Sequence, residues 1–73
     1  MPDQQNMITI QLNGEPGTLP EGSSLEDLLA IIGSEGKTMA TLVNDLIVRP
    51  ENRAGCTIQA GDRIELLIFA GGG

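Results

Sequence analysis

From residue 8 apolar and polar residues alternate, with Ile8, Ile10 and Leu12 on one side and Thr9 and Gln11 on the other. A period of two is that of a strand with one buried face. Asn13-Gly14 follows, a pair that accepts positive φ at both positions and so favours a type I′ hairpin turn. The return strand, Glu15 to Leu19, contains Pro16. Proline cannot donate to a ladder, which predicts a sheet edge. The period then changes. Leu25, Leu28, Leu29 and Ile32 fall at i, i+3, i+4 and i+7, one apolar stripe of a helix over about residues 24–32. Ser23 and Glu26 have the spacing of a capping box, Glu26 and Asp27 suit the positive end of the helix dipole, and Gly33 suits the position just past the end.

Beyond a loop at 34–38, residues 39–44 read as a third strand, Asn44-Asp45 as a turn, and Leu46-Ile47-Val48 as a short fourth strand halted before Pro50. Residues 50–55 read as a turn or 3₁₀ segment, 56–59 as a brief extended stretch, and Ala60-Gly61-Asp62 as a turn. Residues 63–69 form the longest β-type run. Ile64, Leu66 and Ile68 make its inner set, and Leu67 and Phe69 render its other side apolar too, as in a central strand or one that meets a partner. The order predicts an α+β domain, a mixed sheet of about five short strands with one helix packed across one face. Burial demand places the first and last strands side by side and parallel at its centre. The domain spans residues 7–70, between a flexible N-terminal tail (1–6) and a flexible Gly-Gly-Gly tail (71–73).

Composition narrows what such a domain can do. The 73 residues hold nine Leu and eight Ile but one aromatic, Phe69, so the core is aliphatic. There is no His and a single Cys. That removes the commonest general base, any internal disulfide and any thiolate zinc site; the expectation is no catalytic residue, no bound metal and no bound cofactor. Ten acidic residues against four basic ones leave a net charge of -6. That balance argues against nucleic acid and against an anionic membrane, and it favours a basic partner. No apolar run is long enough to span a bilayer and residues 1–6 lack the features of a signal peptide. With a lone thiol, this points to a cytoplasmic protein.

Most candidate chemistry has a plain structural account. Gly36-Lys37-Thr38 lacks the earlier Gly of a phosphate loop, since Ile31 stands there, and a strand follows it. Cys56 has no His nearby and reads as a half-buried structural or incidental cysteine. The carboxylate pairs Glu26/Asp27 and Asp62/Glu65 read as solvated charge. Gly71-Gly72-Gly73 differs. It reads either as a frayed tail or as a mobile leash, about 10 Å long when extended, that carries the Gly73 carboxylate through a narrow channel on residues without Cβ atoms.

Here the sequence resembles the ThiS/MoaD family of ubiquitin-like β-grasp proteins, and the ThiS sulfur carriers within it. The resemblance rests on Ile8-Thr9-Ile10-Gln11-Leu12-Asn13-Gly14, the capped helix with Leu25, Leu28 and Leu29, the segment Val43 to Pro50, and Gly61-Asp62-Arg63-Ile64-Glu65 leading through a Leu-rich strand to Gly-Gly. Arg49-Pro50 reverses the family's Pro-Arg, and the aromatic often found shortly after it is absent. The resemblance implies a carrier and co-substrate, not an enzyme. A ThiF-like E1 adenylyltransferase would use ATP to adenylate the Gly73 carboxylate. Sulfur from a cysteine desulfurase would displace AMP to leave a thiocarboxylate. Thiazole synthase, ThiG, would receive that sulfur for the thiazole of thiamine. Gly72 and Gly71 would thread the partner's channel, and Phe69, Leu67 and Leu42 would anchor the partners of a protein that is monomeric when free. The alternatives are a MoaD-like small subunit of molybdopterin synthase, a sulfur carrier for cysteine, homocysteine or tRNA thiolation, or a plain β-grasp interaction module. Ile68-Phe69-Ala70 lacks the prolines that MoaD-like chains tend to carry before Gly-Gly.

Overall fold

Two turns that need positive φ shape the sheet. In a computed structural model, which describes residues 6–33 and 38–68, Asn13 (φ 51°) and Gly14 (φ 85°) join β1 (Met7–Leu12) to β2 (Glu15–Pro20). Asn44 (φ 52°) and Asp45 (φ 73°) join β3 (Thr38–Val43) to β4 (Leu46–Val48). Both are two-residue loops, with Leu12 opposite Glu15 and Val43 opposite Leu46. The twist of such turns matches the right-handed twist of the strands they join. The last strand, β5 (Arg63–Ile68), lies between the hairpins, giving the order β2-β1-β5-β3-β4. It runs parallel to β1 and antiparallel to β3. The α+β prediction holds, with β1 and β5 adjacent and the proline-bearing β2 at an edge.

The helix α1 (Leu25–Ile32) crosses one face of this sheet and buries Leu25, Leu28 and Leu29. Those residues close a core with Ile10, Leu19, Ile58, Ile64 and Leu66. Full burial contributes about 1.5–3 kcal/mol per side chain of this size, so eight of them carry most of the fold. The predicted stripe stops one residue short: Ile32 is 40% exposed at the last position of the helix. Gly33 ends the helix at φ 75°, its N–H donating to the Ala30 carbonyl.

The cap also falls one residue later than the spacing predicted. Ser24, not Ser23, is the N-cap. Its Oγ accepts from the Asp27 N–H at 3.0 Å, and the Asp27 carboxylate accepts from the Ser24 N–H at 3.0 Å. Two overlapping matches to the same pattern occur, and tertiary contacts select between them. The Ser23 hydroxyl donates to the Pro20 carbonyl at 2.6 Å. The loop at 53–58 claims the neighbouring groups: the Leu25 N–H donates to the Cys56 carbonyl at 2.8 Å, and the Ile58 N–H to the Ser23 carbonyl at 2.9 Å. Residues 56–59 add no strand to the sheet and form an isolated bridge, Ser24–Thr57, at the N-cap of α1. Residues 50–52 form the expected 3₁₀ turn.

Candidate functional site

The strand that leads toward the glycines is held at its start by polar side chains of two turns. Gly61 adopts φ 87°. Asp62 then closes its own turn, one carboxylate oxygen accepting from the Gln59 N–H at 2.8 Å and the other from the Asn44 side-chain amide at 3.0 Å. Asn44 completes the clamp. Its side-chain oxygen accepts from the Arg63 N–H at 2.9 Å, and its own N–H donates to the Arg63 carbonyl at 2.7 Å. Asp45 adds an ion pair to Arg63 at 2.7 Å, which raises the guanidinium pKa further. The Asn44-Asp45 and Gly61-Asp62 pairs thus set the register at which β5 enters the sheet.

From there the strand alternates between the two faces. Ile64 and Leu66 point under the helix, and Leu67, paired with Ala40, is 58% exposed on the opposite face. Leu42 lies opposite both Glu65 and Ile47, so it shares that open face and is half-buried there. Paired residues of neighbouring strands share a face, and this brings the predicted anchors Leu67 and Leu42 onto one surface. Ile47, 71% exposed, joins them. Sequence reasoning missed Ile47 because a three-residue strand has too few positions for its phase to be read. Phe69, Gly71, Gly72 and Gly73 lie outside the described residues.

Of the remaining candidates, Cys56 borders this patch at Ile47. Cys56 is half-buried beside a shallow hollow lined by Ile47, Val48, Glu51, Asn52 and Gly55. Burial and the nearby Asp62 charge push its thiol pKa up, which opposes nucleophilic use. Arg53 is nine-tenths buried, and its Nε and Nη2 meet no hydrogen-bond acceptor among the described residues. Among the described residues no three acidic or cysteine side chains converge on a metal-sized space, and no helix is long and apolar enough to cross a membrane.

A five-stranded mixed sheet with one helix across it, an apolar open face, and a last strand followed in sequence by Gly-Gly-Gly define a ubiquitin-like β-grasp protein of the carrier type. The family model described as the ThiS family matches residues 10–73. The chain belongs to the ThiS family. The solved structure of a thiamine biosynthesis protein (ThiS) from Geobacter metallireducens superposes with a TM-score of 0.75 at 26% identity, over 90% of this chain and 100% of that one. A thiazole synthase from Magnetococcus marinus is 36% identical over 66 residues, which are 90% of this chain and 20% of that protein. The chain therefore spans about a fifth of the length of that curated relative.

Proposed function

We propose that the protein carries sulfur for thiazole formation in thiamine biosynthesis as a thiocarboxylate on Gly73. The observation that carries this reading is the extent of the family match: it runs through residue 73, so the three glycines lie inside the family's own bounds. A ThiF-like E1 enzyme binds ATP, and the Gly73 carboxylate oxygen attacks the α-phosphorus as pyrophosphate leaves. Persulfide sulfur formed from cysteine by a desulfurase displaces AMP from the acyl carbon, a thiol reductant cleaves the resulting acyl disulfide to the thiocarboxylate, and the thiocarboxylate passes to thiazole synthase, ThiG. The chain is the co-substrate in each step and supplies no acid or base, in keeping with the absence of His.

The similarity between this chain and one stretch of a longer thiazole synthase supports pairing with that enzyme. The open face supplies the docking surface through Leu67, Leu42 and Ile47, and Phe69, which lies outside the described residues, is proposed as a further anchor. The net charge of -6 steers the encounter with a basic partner surface. Gly71 and Gly72 thread the partner's channel, and the reaction takes place in the cytoplasm.

ATP–pyrophosphate exchange with a ThiF-type enzyme tests the reading. Full-length protein should support exchange, and protein lacking Gly72 and Gly73 should not. Equal exchange by both would refute it. Protein isolated from its own host should also carry about 16 Da of added mass on the C-terminal peptide, the difference between sulfur and oxygen.

A further inference from the structure

Among the described residues β1 and β5 pair over two positions, Gln11 with Arg63 and Leu12 with Ile64. A further parallel rung would ask residue 13 for two bonds, its N–H to the Ile64 carbonyl and its C=O to the Leu66 N–H. Asn13 makes the first with its backbone, at 2.8 Å. It cannot make the second the same way, because its positive φ swings the following peptide out of the ladder and into the hairpin turn. Its side chain makes that bond instead. Asn13 Oδ1 accepts from the Leu66 N–H at 2.9 Å, across 53 residues of sequence.

The bond lies where β5 is otherwise least held. On the β1 side no paired residue follows Ile64 among the described residues. On the β3 side the register slips between Thr38 and Ala40, opposite Ile68 and Leu67. Leu66 is buried, so its N–H without an acceptor would be costly. We propose that Asn13 is a positioning residue for the tail: its side-chain carbonyl anchors β5 at Leu66 and thereby fixes the direction in which the strand, through Ile68, leads toward the residues that follow it in sequence. This rests on the carrier reading above, in which that tail carries the reacting carboxylate. Few residues can do both jobs. Glycine tolerates the backbone conformation but has no acceptor, serine is one atom too short to reach Leu66, and aspartate keeps both the conformation and the oxygen.

The test compares Asn13→Gly, Asn13→Ser and Asn13→Asp with the unaltered chain, by amide exchange and by kinetics with a ThiF-type enzyme. In the Gly and Ser variants, Leu66 amide exchange should speed at least fivefold relative to Ile64. The rate kcat of adenylation should fall at least fivefold while the KM for the carrier stays within twofold, because the open face is unaltered. Asn13→Asp should restore both readouts to within twofold. An unchanged Leu66 exchange rate, a kcat that survives loss of the side chain, or a rise in KM alone would each overturn the positioning role. Failure of both the Gly and Ser variants to fold would make Asn13 a folding residue and overturn it too. An unaltered chain that accepts no AMP would overturn the carrier reading itself, and the positioning role with it.

Discussion

Replacing Leu67 by alanine should weaken docking and leave the fold in place. Leu67 is 58% exposed on the face away from the helix. Full burial of a leucine is worth about 1.5–3 kcal/mol. The part still open to water, about three-fifths of the side chain, can yield about 1–2 kcal/mol when a partner covers it. That converts to a KM for the carrier about five- to thirtyfold higher in ATP–pyrophosphate exchange with a ThiF-type enzyme. Folding should lose about 1 kcal/mol or less, because the remaining two-fifths is all the native state buries; for a domain of this size that is a Tm shift of at most about 8 °C. Ile31 provides the control. It is 60% exposed but sits on the helix, in the opposite layer. Ile31→Ala removes similar apolar area from a surface that takes no part in docking and should leave KM unchanged. Equal KM effects from the two variants, or no effect from Leu67→Ala, would refute the assignment of the open face.

Three further outcomes follow from particular contacts. Asn44→Gly keeps the positive φ but removes half of the clamp, and Asp62→Ala removes the other half. Each should cost about 1–2 kcal/mol in urea unfolding, and the pair should fall short of additivity by about 1 kcal/mol, so additive losses would dissolve the clamp. Arg53→Met replaces a buried guanidinium, two of whose nitrogens have no partner among the described residues, by an apolar chain of similar length, and should leave stability unchanged or raise it by about 1–2 kcal/mol; a comparable loss would show that the guanidinium has a partner. The Cys56 thiol, held protonated by burial and by Asp62, should alkylate more slowly at pH 8 than an unfolded cysteine, and faster in Asp62→Ala. Its proton is held more tightly in the native state, so the stability it adds is complete below the ordinary thiol pKa and is lost as pH rises past it. Cys56→Ala should therefore flatten the alkaline limb of the stability profile.

The fold was legible where local chemistry decides it. The alternation around Ile10, the i, i+3, i+4 stripe of Leu25, Leu28 and Leu29, and the Asn13-Gly14 and Asn44-Asp45 turns each depend on a few consecutive residues. Assignment faltered at positions where two local solutions are equal. Ser23 and Ser24 both offer a cap, and the 53–58 loop settles which one forms by taking the adjacent backbone groups. The candidate site divided along the same line. Leu67 was readable as an outward residue of a long strand. The side on which Leu42 falls depends on its register with Glu65 and Ile47, and Ile47 lies on a strand too short to have a readable phase.

By itself, then, the sequence determined the strands, the helix, the turns, the aliphatic core, the absence of His and the glycine segment at residues 71–73, because each is a matter of composition or of contacts within about ten residues. Only the tertiary structure decided that Asn44 and Asp62 grip one another across 18 residues, that Leu42, Ile47 and Leu67 share a face, and that Asn13 reaches Leu66. Those depend on the register between strands far apart in the chain, and register is set by how all the apolar faces close over one core at once. No local window of sequence contains that information.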